Sequence, residues 1–338
     1  MSRLGWEIQL GLLAVALGAG LAAAAPAAWA GQSLAPDGQI ALPGVAGRVD
    51  HMAVDVARKR LFVAEIANNT LDVVDLAAGR QAERIASLAE PQGVGYAANA
   101  DIVAVANGGD GSVRFYRGAQ LTPAGSVALG SDADDIRVDP RNGDIVVGYG
   151  NGGLAIIDPE RRSKIGDVRL AAHPEGFAID PATERVFVNV PDAGEIAVVD
   201  LASRRQIGHW TVPGLRANFP VALDAAGATL ATVFRNPPTL VLIDAQTGAL
   251  AARLGTCGDA DDVFFDARRR RLYVSCGAGA LDVFEAGAGG GYARLARVKT
   301  SGGARTSLFV PPLDRLFVAA RAGRLAKQAA IVVFRPLP

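Results

Sequence analysis

His51-Met-Ala-Val-Asp55, Leu61-Phe-Val-Ala64, Leu71-Asp-Val-Val-Asp75 and Ala82-Glu-Arg-Ile85 follow one another within a single stretch of chain. Each segment is short and rich in aliphatic or β-branched residues, and polar turns such as Ala57-Arg-Lys-Arg60 and Asn68-Asn69 separate them. That composition predicts four consecutive strands rather than helices. The pattern then recurs. Aligning on the first segment places His51, Gln92, Asp135, Gly176, Pro220, Asp262 and Ser307 at equivalent positions, with intervals of 41, 43, 41, 44, 42 and 45 residues. The alignment at Ser307 needs a one-residue gap.

An interval of this length is that of one four-stranded propeller blade. The turns between strands repeat as well, as in Gly108-Gly-Asp-Gly111, Gly150-Asn-Gly-Gly153 and Pro191-Asp-Ala-Gly194. The seventh repeat stops at Ile331-Val-Val-Phe334, its third strand. Before the first repeat lies Gln39-Ile-Ala-Leu-Pro43-Gly44, similar to the fourth-strand segment His209-Trp-Thr-Val-Pro213-Gly214. The reading is an all-β, seven-bladed β-propeller of four-stranded blades, with the last blade closed by the N-terminal strand. Such closure ties both ends of the chain into one sheet and protects an edge that would otherwise pair between molecules.

Residues 1–30 carry the features of a secretory signal: Arg3, an apolar run from Leu10 to Ala25, and the small-x-small site Ala28-Trp29-Ala30. Glu7 is unusual in such a position, and an uncleaved anchor is the competing reading. Residues 31–338 are then expected as a single propeller domain, periplasmic or secreted, without a membrane span after cleavage. The chain has 34 basic and 34 acidic residues, so net charge offers nothing to hold a nucleic acid. Its two cysteines flank a strand pair of the sixth repeat: Cys257 precedes the inner strand and Cys276 ends the next one. In an oxidising compartment this placement predicts a Cys257–Cys276 disulfide.

The segments Leu61-Phe-Val-Ala64, Val186-Phe-Val-Asn189, Ala197-Val-Val-Asp200 and Leu272-Tyr-Val-Ser275 resemble the repeats of the YVTN-repeat β-propellers. Val241-Leu-Ile-Asp244-Ala-Gln-Thr247-Gly248 is similar to that family's aspartate-x-x-threonine-glycine turn. The resemblance covers residues 31–338 and implies exported or surface-layer-type proteins, with no reaction implied. A WD40 or quinoprotein propeller would carry a tryptophan in most blades, whereas Trp210 is the one tryptophan after residue 30.

In a propeller the loops leading into the innermost strands converge at one mouth of the central channel. Here they bring His51, Gln92, Asp134, Asp135, His173, Glu175, Arg216, Asn218, Asp261, Asp262 and Arg305 to that rim, as candidate ligand-binding residues. Asp132-Ala-Asp-Asp135 and Asp259-Ala-Asp-Asp262 are near copies three repeats apart. Because successive strand residues face opposite ways, only part of this set is expected to reach the channel. Acidic side chains of this kind suit a hard divalent cation, with His51, Asp135 and Asp262 the candidate metal ligands. No serine elbow, phosphate loop or compact metal motif occurs. The turns of the opposite face, including Arg268-Arg-Arg-Arg271, read as solvated surface. Two functions follow. One is an exported binding or scaffold protein that uses the rim for a small polar ligand, a metal ion or a protein partner. The other is a metal-assisted hydrolase or lactonase at the same place.

Overall fold

The inner strands of each blade are apolar on both faces because each face meets a different neighbour. In β3 (Arg60–Glu65), Leu61, Phe62, Val63 and Ala64 are all fully buried. Leu61 and Val63 pack with Leu42, Phe317 and Ile331, whereas Phe62 and Ala64 pack with Val94, Val103 and Tyr116. The period-2 alternation of a strand thus divides one segment between two inter-blade cores. The computed structural model describes residues 33–323 and 328–338; the expected signal segment lies outside them.

These residues form seven four-stranded antiparallel sheets. Blade 1 contains β2 (Met52–Asp55), β3, β4 (Thr70–Asp75) and β5 (Arg80–Ile85). Blades 2 to 6 repeat the meander over 91–128, 133–169, 177–210, 216–255 and 260–299. Contacts run from each innermost strand to the next and from the seventh back to the first, which closes the ring.

Blade 7 is completed as the sequence anticipates. β26 (Ser307–Val310), β27 (Arg315–Ala320) and β28 (Ala329–Pro336) are joined by β1 (Leu34–Leu42), which pairs antiparallel with β28 from Leu34↔Pro336 to Leu42↔Ala329. The strand is longer than the predicted 39–44 segment and starts earlier. Ile40 and Leu42 are buried in the core shared by blades 7 and 1.

Pairing between the first two strands of each blade corrects two of the seven aligned positions. His51, Gly93, Asp135, Gly176, Pro220, Asp262 and Thr306 share one register, one residue from the predicted Gln92 and Ser307. The backbone bonds Ala64 N–H to His51 O, Asn189 N–H to Gly176 O and Ala319 N–H to Thr306 O repeat at matching places. Blade 2 has glycine in this register for a steric reason: a Cβ on Gly93 would lie 2.0 Å from the carbonyl oxygen of Asp134.

The face opposite the mouth is a belt of charged ties. Arg58 binds Asp55 in its own turn and reaches Asp101 of blade 2 at 2.7 Å. Arg141 joins Asp139 to Glu184 of blade 4, and Arg269 joins Asp266 to Asp314 of blade 7 at 2.7 Å. The arginine run is therefore only half as expected. Arg268 and Arg270 are exposed, but Arg271 is buried, and Arg269 and Arg271 both donate to the carbonyl oxygen of Leu337. Two of the four arginines fasten the C-terminal segment to blade 6.

Candidate functional site at the channel mouth

Where the chain enters the innermost strands, regular pairing breaks in four blades. β6 (Pro91–Ala97), β10 (Ala133–Val138), β18 (Arg216–Leu223) and β22 (Ala260–Asp266) each carry one residue more than their partner strand near the mouth. A bulge of this kind turns successive side chains to the same side. Asp134 and Asp135 consequently both face the channel, and the His51 Nε2 lies 3.9 Å from a carboxylate oxygen of each. Strict alternation would have sent one of the two away.

Two tiers result. The upper one, Gln92, Asp134, Glu175, Phe219, Asp261 and Arg305, surrounds a mouth cavity of about 250 Å³, together with Arg48, Asp132, His173 and Arg235. The lower one, with His51, Asp135 and Asp262, opens into a channel cavity of about 470 Å³. Below it the wall is mostly apolar, with Ala53, Ala178, Ala222, Phe264 and Leu308 beside Arg137.

Many of the polar groups tie blades together. The Gln92 Nε2 donates to Asp132 of blade 3 at 3.1 Å. His173 Nδ1 lies 2.6 Å from the Gly150 carbonyl oxygen, to which it donates. Asp262 accepts from the backbone N–H of Ser307 in blade 7 at 2.6 Å, and Arg305 donates to Asp259 of blade 6 at 2.8 Å. Asn218 is fully buried away from the cavity and donates to Asn189 and to the Glu195 carbonyl, both at 2.9 Å. Arg216 is exposed and lines neither cavity. The structure therefore brings nine of the eleven predicted residues around the mouth and places Asn218 and Arg216 elsewhere.

What the ties leave over is electrostatically unusual. Asp134 and Asp135 are 8% and 1% exposed, yet Asp134 Oδ1 and Asp135 Oδ2 have no hydrogen-bond partner. Buried carboxylate oxygens without donors are costly, about 1–3 kcal/mol each or more. Burial, opposed by His173 but reinforced by Asp50 and Asp135, holds Asp134 above the usual carboxylate range. Burial beside Asp134 pushes Glu175 up to about 8, and burial pushes Asp262 up to about 7. For His51, burial alone would lower the imidazole pKa, but Asp135, Asp50, Asp134 and Asp262 outweigh it and raise it to about 9. His173 rises to about 9 in the same way, with Asp134 and the Gly150 carbonyl as the main partners. At neutral pH both histidines are cations, and the mouth holds more acid than it can keep ionised.

The donor set does not fit the metal that the acidic loops suggested. Asp135 is held by Arg137, and Asp262 by the Ser307 N–H. Among the described residues no three His, Cys, Asp or Glu side chains are arranged to hold a cation.

Three participants escaped the sequence reading. Arg137 follows Asp135 by two residues on β10, so strand periodicity was the available signal. Arg235 sits near the end of β19 (Thr229–Asn236), stacks 3.5 Å from the Phe219 ring centroid and pairs with Asp261. No repeat position foretells it, because the blade 5 hairpin extends further than its counterparts. Phe219 occupies the register that is acidic in blades 1, 3, 4 and 6, where it holds Asp50, Asp134, Glu175 and Asp261. Beside the mouth, Cys257 and Cys276 are joined by a disulfide with Cα atoms 5.8 Å apart.

No protein-family model and no curated protein matches the chain. Solved structures do. A chain from the crystal structure of the mitotic checkpoint complex is similar over 98% of this chain and 100% of its own, with a TM-score of 0.77 and 15% identity. A chain of Kuenenia stuttgartiensis hydrazine synthase is similar over 86% of this chain and 98% of its own, with a TM-score of 0.73 and 15% identity. At such identity the likeness is one of fold, the seven-bladed propeller.

Proposed function

We propose that this chain is an exported propeller of the YVTN-repeat kind that binds a small polar ligand at the channel mouth, acting as a binding or scaffold protein rather than an enzyme. The observation that carries this is the pair of unpartnered, buried carboxylate oxygens of Asp134 and Asp135. The carboxylates of the opposite face, Asp55, Asp139 and Asp266, have donors on both oxygens. Groups left unsatisfied next to a cavity of ligand size instead suit a molecule that supplies the missing donors. Export is supported by residues 1–30 and by the Cys257–Cys276 bridge, which persists in oxidising compartments. Among the described residues no helix is long and apolar enough to cross a membrane.

The test is a thermal-shift screen of small polar metabolites against the wild-type chain and Asp134→Asn. A compound that raises the Tm of the first and not of the second supports the reading. A screen whose hits act equally on both, or with no hits, counts against it.

A further inference from the structure

The charges of the mouth are not mixed at random; they are sorted by sector. Blades 3 and 4 contribute Asp132, Asp134 and Glu175 together with His173, whereas Arg48, Arg235 and Arg305 come from blade 1 and from blades 5 and 7, with Asp261 of blade 6 paired between the last two. Each sector has hydrogen-bonding capacity left over. On the acidic side Asp134 Oδ1 has no partner, and no hydrogen bond or ion pair engages the Glu175 carboxyl among the described residues. On the basic side Arg48 gives Asp50 only its Nη2, at 2.9 and 3.0 Å. Arg305 gives Asp259 its Nη1 and pairs through Nε with Asp261 at 2.9 Å, leaving Nη2 free of protein partners among the described residues. Arg321 packs behind them over Gly303; burial and the neighbouring Arg305 and Arg48 hold its guanidinium below the ordinary value.

We infer that the mouth holds a small zwitterion of the α-amino-acid type. Its ammonium group lies against Asp134 and Glu175, its carboxylate against Arg48 and Arg305, and its side chain points down the channel. This rests on the reading of the mouth as a ligand site and specifies its ligand. A simple anion would satisfy the arginines but face Asp134 and Glu175. A simple amine would satisfy the carboxylates but leave the free nitrogens of Arg48 and Arg305 without an acceptor. Only a molecule carrying both charges answers both sectors at once. The mouth cavity of about 250 Å³ accommodates such a headgroup. The channel wall beneath offers Ala53, Ala222 and Leu308 to an apolar substituent, with Arg137 on another side. The Glu175 carboxyl, pushed up to about 8, holds a proton in the free protein, so an arriving ammonium group displaces it. Binding is therefore accompanied by proton release.

Three probes separate the charges: L-norleucine, n-pentylamine (which lacks its carboxylate) and hexanoate (which lacks its ammonium). Calorimetric titration at pH 7 is expected to show norleucine bound at least tenfold more tightly than either half. Its binding heat should depend on buffer ionisation enthalpy in the sense of proton release. Asp134→Asn should weaken norleucine and pentylamine about tenfold and leave hexanoate unchanged. Arg48→Gln should weaken norleucine and hexanoate and leave pentylamine unchanged, with Arg305→Gln read in the same way if the first variant does not fold. Pentylamine or hexanoate bound as tightly as norleucine, or no binding of any of the three, overturns the zwitterion. If none of the three binds but a metabolite from the screen does, and loses its effect in Asp134→Asn, the ligand site stands with a different ligand. If nothing binds at all, both readings fall.

Discussion

At the scale of single residues, the polar groups of the mouth divide into those that serve a seam between blades and those that face the cavity at a cost. Asn218 is of the first kind: its Nδ2 donates to Asn189 and to the Glu195 carbonyl, and it lines neither cavity. Asn218→Ala leaves Asn189 short of a donor inside a buried seam, at a cost of about 1–3 kcal/mol. Urea denaturation should show that loss, with ligand binding unchanged. Asp134 is of the second kind, since its ionised form is disfavoured where it stands. The sequence alone could name both residues as rim candidates. It could not separate them, because the sorting depends on bulges that shift side chains by one position. Gln92 and Ser307 were misaligned by one for related reasons: the inner strand of blade 2 bulges, and the loop before blade 7 has a different length.

At the scale of elements, legibility was much higher. Strand composition, turn residues and a near-constant interval revealed every blade, and the truncated seventh repeat pointed to β1 as its partner. The Arg269 and Arg271 ties were not legible, since an arginine run in a turn looks like ordinary surface until the C-terminal segment is seen lying against it. Two elements should dominate the stability of the ring. Leu42 of β1 is fully buried between blades 7 and 1, so Leu42→Ala should cost about 2–5 kcal/mol. A cost below about 1 kcal/mol in equilibrium unfolding would mean that β1 is not needed for closure. The disulfide spans 19 residues and braces the loop carrying Asp259, Asp261 and Asp262. Replacing both cysteines by serine should cost about 3 kcal/mol, read as a lower urea midpoint that no longer responds to reductant.

At the scale of the whole molecule, the buried charges give stability a definite dependence on pH. Burial next to Asp72 pushes Glu65, at the junction of blade 1 with the N-terminal segment, up to about 8. Glu175 and Asp262 rise to about 8 and about 7, and His51 and His173 to about 9. All five therefore hold more protons in the folded ring than in the unfolded chain between about pH 5 and pH 9. The histidine contribution is complete below about 6.5 and lost as pH rises through about 9; the carboxyl penalty is absent below about 4 and complete above about 8. Both effects have the same sign, so urea midpoints should fall steadily from pH 5 through pH 7 to pH 9. The carboxylates that Arg58 and Arg269 hold low, Asp101 and Asp314, lose their stabilising effect only below their ordinary 3.8, outside this window. A midpoint that rises with pH would contradict the protonation states assigned to the mouth.

The central claim is that the mouth is a ligand site whose charge is held against the interests of the fold. Equilibrium urea unfolding of Asp134→Asn at pH 7, without ligand, tests it most directly. If Asp134 is kept for a ligand, removing its charge relieves an unfavourable burial, and the variant should be at least as stable as the wild type. If Asp134 is a structural tie, the variant should lose more than about 1 kcal/mol, as one that breaks a satisfied buried hydrogen bond does. That loss would contradict the account.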